Sequence, residues 1–179
     1  MTAPQPGATT LVREALRRGL TVATAESLTG GAVAAAVVDV AGASVCFEGA
    51  VVSYSNRVKT EVLGVAARLL AERGSVDPDV AIAMAEGARR RLGTDWAVAT
   101  TGVAGPEPHD GRPVGTVYLG VAGPGGSVAH ELTVAGDRAA IRAAAVVAAL
   151  ERLTAALVLP VNSQAKTSPG GEEWNRQRG

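Results

Sequence analysis

Aromatic residues are scarce in this chain: Phe, Trp and Tyr together make up 3% of its 179 residues. A core without large rings must be built from aliphatic side chains, and the alanine and valine that dominate here let helices lie close on a sheet. An excess of charge is also missing. Seventeen basic residues cancel seventeen acidic ones, and no long basic stripe with interleaved aromatics occurs, so nucleic-acid binding is not expected. The longest cationic run, Arg89-Arg90-Arg91, falls at the end of an expected helix, where it complements the helix dipole. The single cysteine, Cys46, excludes an intrachain disulfide and suits a reducing compartment; within Ser44-Val45-Cys46-Phe47 it reads as a small core residue. No uninterrupted apolar run reaches the roughly 18 residues of a membrane span, and the first residues lack a basic-then-apolar leader. A cytoplasmic protein without membrane contact is the expectation. His109 and His130 have no metal-ligand spacing with each other or with Cys46, so no metal and no cofactor is expected. Neither the Gly-x-x-x-x-Gly-Lys-Ser/Thr loop nor a Gly-x-Gly-x-x-Gly helix start is present, which leaves nucleoside triphosphate and dinucleotide binding unsupported.

What the chain does have is an alternation of strand and helix patterns. Residues 1–7 are expected to be disordered, and Ala8–Arg18 reads as an amphipathic helix stopped by Gly19. Leu20–Ala25 is a strand, Thr29–Val40 a helix and Phe47–Tyr54 a second strand. Asn56 is expected to cap a short helix carrying Lys59, and Ala66–Arg73 forms another. Asp77-Pro78 opens a helix to about Leu92, with Asp77 as its cap. Trp96–Thr101 is a third strand, followed by a Gly/Pro-rich loop to Pro113. Val114–Val121 and Ser127–Val134 flank Gly123-Pro124-Gly125-Gly126, a hairpin signal. Asp137 caps a last helix to about Leu159, and the polar tail from 160 to 179 is expected to be disordered. This predicts an α/β domain over 8–159: a three-layer sandwich around a mixed, mostly parallel five-stranded sheet, with one antiparallel member from the hairpin. The alanine-rich last helix, with little charge, suits a contact between copies in a homo-oligomer.

Ligands in such folds sit beyond the carboxyl ends of the parallel strands. Three segments leave strands there: Glu26-Ser27, Tyr54-Ser55-Asn56 and Thr100-Thr101-Gly102. Ser27 offers a nucleophile beside an anion site at the helix start, with Gly30 and Gly31 allowing close approach; equally, Ser27 or Thr29 serves only as a helix cap. Lys59 reads either as a solvated helix lysine or as a base for Ser27 with a lowered pKa. Tyr54 either relays and orients that proton or buries its ring in the core. Thr101 and the Gly102 backbone could supply oxyanion donors. A Ser27–His109–Asp110 triad can be drawn, but adjacent His and Asp in one loop rarely reach the required geometry.

The motifs Ala-Glu-Ser-Leu-Thr-Gly-Gly (25–31), Val-Ser-Tyr-Ser-Asn-Arg-Val-Lys (52–59), Thr-Gly-Val-Ala-Gly-Pro (101–106), Pro-Val-Gly-Thr-Val-Tyr (113–118) and Gly-Asp-Arg-Ala-Ala-Ile-Arg (136–142) together resemble the C-terminal domain of the competence/damage-inducible CinA family, in order and spacing. The resemblance implies a nicotinamide-nucleotide amidohydrolase that converts nicotinamide mononucleotide and water to nicotinate mononucleotide and ammonia. It places the family's serine on Ser27, its lysine on Lys59, its tyrosine on Tyr54 and its loop threonine on Thr101. It puts an arginine of the last helix, Arg142 ahead of Arg138, on the substrate phosphate. The substrate is then expected against Thr29, Gly30, Gly31, Asn56, Thr101, Gly102 and Arg142. The alternatives are a nucleotide-binding or protein-interaction module without turnover, and another amidase or serine hydrolase. One segment departs from the family pattern: Glu107-Pro108-His109-Asp110-Gly111 stands where a Gly-Gly pair is usual.

Overall fold

A computed structural model describes residues 4–158. The expected tail, 160–179, lies outside these residues, as do residues 1–3 of the expected disordered start, while Pro6 and Gly7 of that start belong to a helix. Helix α1 runs Pro6–Arg18, opening two residues before the expected Ala8 because proline suits the first helical turn. It ends where Gly19 turns left-handed at φ 63°. Strand β1 (Val22–Glu26), helix α2 (Ala32–Val38), strand β2 (Phe47–Val52) and helices α3 (Asn56–Glu61) and α4 (Ala67–Arg73) follow. Helix α5 spans Pro78–Leu92, and Asp77 caps it by accepting from the Asp79 N–H at 2.9 Å. Strands β3 (Trp96–Gly102), β4 (Thr116–Gly123) and β5 (Gly126–Thr133) lead to helix α6 (Arg138–Val158), where Asp137 accepts from the Ala140 N–H at 2.8 Å.

The sheet order is β2-β1-β3-β4-β5. The pairs of β1 with β2 and with β3 are parallel; those of β4 with β3 and with β5 are antiparallel. Four strands therefore point one way and β4 alone runs against them, so the mixed five-stranded sheet of the sequence reading is the observed one. Its two faces differ in side-chain size. Val22, Val98, Val117, Leu119 and Val121 meet α1, α2 and α6 in one cluster, which also takes in the buried Cys46. Ala23, Ala25, Ala97, Ala99 and Ala122 meet α5 on the other face. The alanine face lets α5 lie almost on the sheet backbone: a β-carbon on Gly120 would overlap the Ala81 carbonyl. Each fully buried aliphatic side chain on the larger face contributes about 1.5–3 kcal/mol.

Several boundaries near the site depart from expectation: β2 ends at Val52 rather than Tyr54, and β3 at Gly102 rather than Thr101. Helix α2 starts at Ala32 rather than Thr29, because Gly30 (φ 61°) and Gly31 (φ 97°) hold the chain in left-handed conformations that no helix continues. Helix α3 is capped by Ser55, whose hydroxyl accepts from the Val58 N–H at 3.3 Å, and not by Asn56, which is the first residue of the helix.

Candidate active site

The ends of β1, β2 and β3 come together as the strand order requires. The Ser27 N–H donates to the Thr100 carbonyl at 2.9 Å, and the Ser53 N–H to the Glu26 carbonyl at 2.8 Å. The turn after β1 thus fixes Ser27, half-buried, in a cleft of about 420 Å³. Leu28, Tyr54, Ser75, Thr101, the 102–109 loop and Arg138 complete its walls.

Lys59 reaches this serine from α3. Its Nζ donates to Ser27 Oγ at 3.2 Å and to the Ser53 carbonyl at 2.9 Å, and only 1% of the residue is exposed. The solvated-lysine reading therefore does not describe the structure. Burial disfavours the ammonium and brings the Lys59 pKa down to about 8, while the negative charge of Asp110 works in the opposite direction. At pH 7 roughly one molecule in ten then carries Lys59 as a neutral amine hydrogen-bonded to a serine hydroxyl.

The helix start that sequence reasoning offers to a substrate anion is already filled. Glu26, wholly buried, turns its carboxylate onto the beginning of α2. It accepts from the N–H groups of Gly31 (2.9 Å), Val33 (3.0 Å) and Ala34 (2.8 Å) and from the hydroxyls of Thr29 (2.7 Å) and Thr24 (3.2 Å). Thr29 Oγ1 also lies 2.7 Å from Thr100 Oγ1. Thr29 and Gly31 therefore bind the protein's own carboxylate, and a substrate phosphate at these N–H groups would have to displace it. The exposed Gly30 forms the crest of the turn, outside the cleft lining.

The other expected residues divide between the cleft and its surroundings. Tyr54 is 62% exposed, so its ring is not in the core; it stands in the cleft wall, where its hydroxyl accepts from Arg138 Nη2 at 3.0 Å. Arg138 Nη1 donates to the Gly105 carbonyl at 2.9 Å, so this guanidinium spans the cleft from the β2–α3 turn to the 102–109 loop. Arg142 does not line the cleft: its Nε and Nη2 donate to the carbonyls of Leu28 (2.9 Å) and Thr29 (2.8 Å) and brace the turn that carries Ser27. Thr101 lines the cleft, but its hydroxyl is committed to the Ser75 carbonyl at 2.6 Å, which weakens it as an oxyanion donor. Gly102 lies beside Thr101 in the same wall. Asn56 faces a separate, open depression of about 430 Å³ between α3 and α4, together with Arg57, Thr60 and Leu70, and does not line the cleft of Ser27. Among the described residues, no group of three or more His, Cys, Asp or Glu side chains could hold a metal, and no helix is long and apolar enough to cross a membrane.

Two residues of this neighbourhood, Glu26 and Ser75, are given no role by the sequence, and a third, Arg138, is ranked there behind Arg142. Glu26 looks like the last polar residue of a strand, and only the fold shows that its carboxylate caps the next helix. Ser75 belongs in sequence to the entrance of α5 yet lines the cleft. Arg138 sits one helical turn before Arg142; that spacing places both near the site without telling which guanidinium enters it.

Residues 5–157 match the model of the CinA C-terminal domain. The chain belongs to the CinA C-terminal domain family. It is 47% identical over 156 residues to a CinA-like protein of Frankia casuarinae, covering 87% of this chain and 36% of that protein. It is 48% identical over 146 residues to a CinA-like protein of Geobacter sulfurreducens, covering 81% and 35%. The chain thus spans about a third of the length of the curated relatives it matches. The fold is that of the competence/damage inducible protein CihA of Agrobacterium tumefaciens, with a TM-score of 0.80 and 37% identity over 88% of this chain and 99% of that one. It is also that of a competence damage-inducible protein A of Klebsiella pneumoniae, with a TM-score of 0.82 and 35% identity over 84% and 94%.

Proposed function

We propose that this CinA-family domain hydrolyses the carboxamide of nicotinamide mononucleotide to nicotinate mononucleotide and ammonia. The observation that carries the reading is the contact between a buried lysine of lowered pKa and a serine hydroxyl in a cleft wall. Neutral Lys59 takes the Ser27 proton as Oγ bonds to the carboxamide carbon. The resulting ammonium gives a proton to the departing nitrogen, the C–N bond breaks, and ammonia leaves an ester on Ser27. Water then attacks that ester, its proton passing to Lys59, and Ser27 is regenerated when the nicotinate leaves. The Val103 N–H is committed to the Thr116 carbonyl at 2.8 Å, so the backbone N–H groups of Ala104 and Gly105 in the cleft wall are the candidate donors to the oxygen that becomes negative.

Arg138, rather than Arg142, is the cation for the substrate phosphate, because Arg138 lines the cleft and Arg142 does not. Ammonia release measured on nicotinamide mononucleotide, nicotinamide riboside and a simple amide tests the whole reading. The mononucleotide is expected to react at least about tenfold faster than the riboside, because the remote phosphate helps to position the amide. Ser27→Ala should remove turnover. Arg138→Ala should erase the preference for the mononucleotide, whereas Arg142→Ala should slow both substrates alike by loosening the Ser27 turn. Binding without ammonia release would point to a module without turnover, and equal rates on all three substrates to a general amidase.

A further inference from the structure

The segment that departs from the family pattern is built as a miniature hairpin. The His109 N–H donates to the Arg112 carbonyl at 3.1 Å, and the Arg112 N–H to the His109 carbonyl at 2.9 Å. Asp110 (φ 51°) and Gly111 (φ 69°) form the two-residue turn between them. An Asp-Gly pair with both φ values positive is the sequence that such a turn prefers. Asp110 is the one non-glycine residue with positive φ among the described residues, a conformation that an Asp-Gly turn itself favours and that its surroundings can fix further.

They do hold it. The Asp110 carboxylate accepts from both the N–H and the hydroxyl of Ser75, the latter at 2.7 Å. Gly74 makes room for it: a β-carbon there would sit 2.8 Å from the Asp110 side chain. Ser75 is tied in turn to the end of β3 by the bond from Thr101. A second clasp joins the same two segments, since Arg112 Nη2 lies 3.7 Å from Asp77 and the guanidinium stacks 5.6 Å from the centre of the Tyr118 ring. Ser75 and His109, one on each side of the Asp110 contact, both line the cleft of Ser27.

From this arrangement we infer that Asp110 is a positioning residue for the Ser27–Lys59 site: by binding Ser75 it fixes the 109–112 hairpin, whose His109 lines the cleft, and with it a negative charge beside the cleft. Burial opposes that charge, but the Ser75 hydroxyl and N–H, together with His109, hold the Asp110 carboxyl below the usual carboxylate range, so it is anionic wherever Lys59 titrates. The partners that Lys59 bonds, Ser27 and Ser53, are neutral, and Asp110 is the charge that acts on it. The inference rests on the proposed function only where it concerns turnover.

The experiment combines turnover of nicotinamide mononucleotide with the pH dependence of covalent labelling by a small fluorophosphonate. In labelling, Ser27 Oγ bonds to phosphorus, the P–F bond breaks, fluoride leaves and Lys59 takes the serine proton, so the rate reads the dyad without the natural substrate. Asp110→Ala and Ser75→Ala should each lower kcat about 10- to 100-fold with a smaller change in KM, as displaced reacting groups do. The double variant should be little worse than either single one. Asp110→Asn should recover much of kcat, yet its labelling midpoint should move to lower pH by roughly half a unit or more, because the charge favouring protonated Lys59 is gone. Lowered Tm with kcat, KM and labelling midpoint unchanged in all variants would overturn the inference, and so would a wild-type protein that is not labelled. A wild type that releases no ammonia but shows the Asp110→Asn midpoint shift loses the substrate reading and keeps this one.

Discussion

Glu26 immediately precedes Ser27 in the chain and Lys59 donates a hydrogen bond to it, and at most 1% of either residue is exposed. The carboxylate receives five donors, two of them N–H groups in the first turn of α2 and a third the N–H of Gly31, the residue before it. The ammonium has two acceptors, a backbone carbonyl and the hydroxyl of Ser27. A buried charge with its hydrogen-bonding capacity filled is a structural fastener. One left short of partners is held in a form it readily gives up. The same sheet edge thus supports a rigid turn and a labile proton, and substitutions at the two residues should separate these roles.

The largest effect is expected at Lys59. Lys59→Met should reduce turnover by about 10²–10⁴-fold, the usual contribution of a general base. Lys59→Arg should not restore it, since a guanidinium stays protonated. Stability should move the other way. The folded pKa of about 8 lies below the ordinary 10.5, so the unfolded chain binds more protons between these values and wild-type stability rises as pH climbs through that window. The cost of burying the charge is fully present below pH 8. Lys59→Met should therefore gain roughly 1–3 kcal/mol at pH 6–7, with the gain shrinking above pH 8. Denaturant titrations at pH 6.5 and 9.5 measure this. An unchanged or lower stability at pH 6.5 would show that the lysine is already satisfied where it sits.

Glu26→Gln probes the opposite member of the pair. The amide that replaces one carboxylate oxygen would point N–H groups at N–H donors of α2, so a loss of about 2–4 kcal/mol is expected at neutral pH. A loss under 1 kcal/mol in denaturant titration would mean that the α2 N–H groups find other acceptors and that Glu26 is no fastener.

How much of this was legible in the sequence follows from the kind of signal each residue carries. Asp77 and Pro78 announce the start of α5 by local chemistry, and the helix runs from Pro78 to Leu92 as read. The glycines at 123, 125 and 126 announce the β4–β5 hairpin in the same way. Ser27 and Lys59 stand out because both follow strand ends that one sheet edge must bring together. Glu26 was not legible: a strand-end glutamate and a helix start six residues later carry no mark that one fills the other. The direction of a long side chain was equally hidden, which is why Arg142, expected at the phosphate, braces the Leu28–Thr29 turn while Arg138 occupies the cleft wall. Ser75 was hidden for another reason, since its place in the cleft depends on contacts with Thr101 and Asp110, 26 and 35 residues away.

A third prediction sharpens the contrast in the wild-type protein alone. If the scarcity of partners leaves Lys59 half neutral near pH 8, kcat/KM for the mononucleotide should climb almost tenfold between pH 6 and 7 and level off above about pH 9. Stopped-time ammonia assays across pH 5.5–10 give the profile. A profile flat over that range would remove Lys59 as the base whatever its burial.

The smallest effect is expected at Tyr54. Its hydroxyl meets Arg138, and neither Lys59 nor Ser27 is among its hydrogen-bond partners. A tyrosine relaying the Ser27 proton would need to stand within reach of that proton, and its removal would cost orders of magnitude in kcat. A tyrosine that steadies Arg138 at an exposed cleft rim loses one hydrogen bond to a charged group that water can partly replace. Tyr54→Phe should therefore lower kcat/KM by roughly two- to tenfold. The loss should fall mainly in KM for the mononucleotide and nearly vanish for the riboside, because the riboside has no phosphate for Arg138 to hold. A large kcat loss shared by both substrates would return Tyr54 to the proton path, and would mean that the rim closes onto Ser27 when substrate binds.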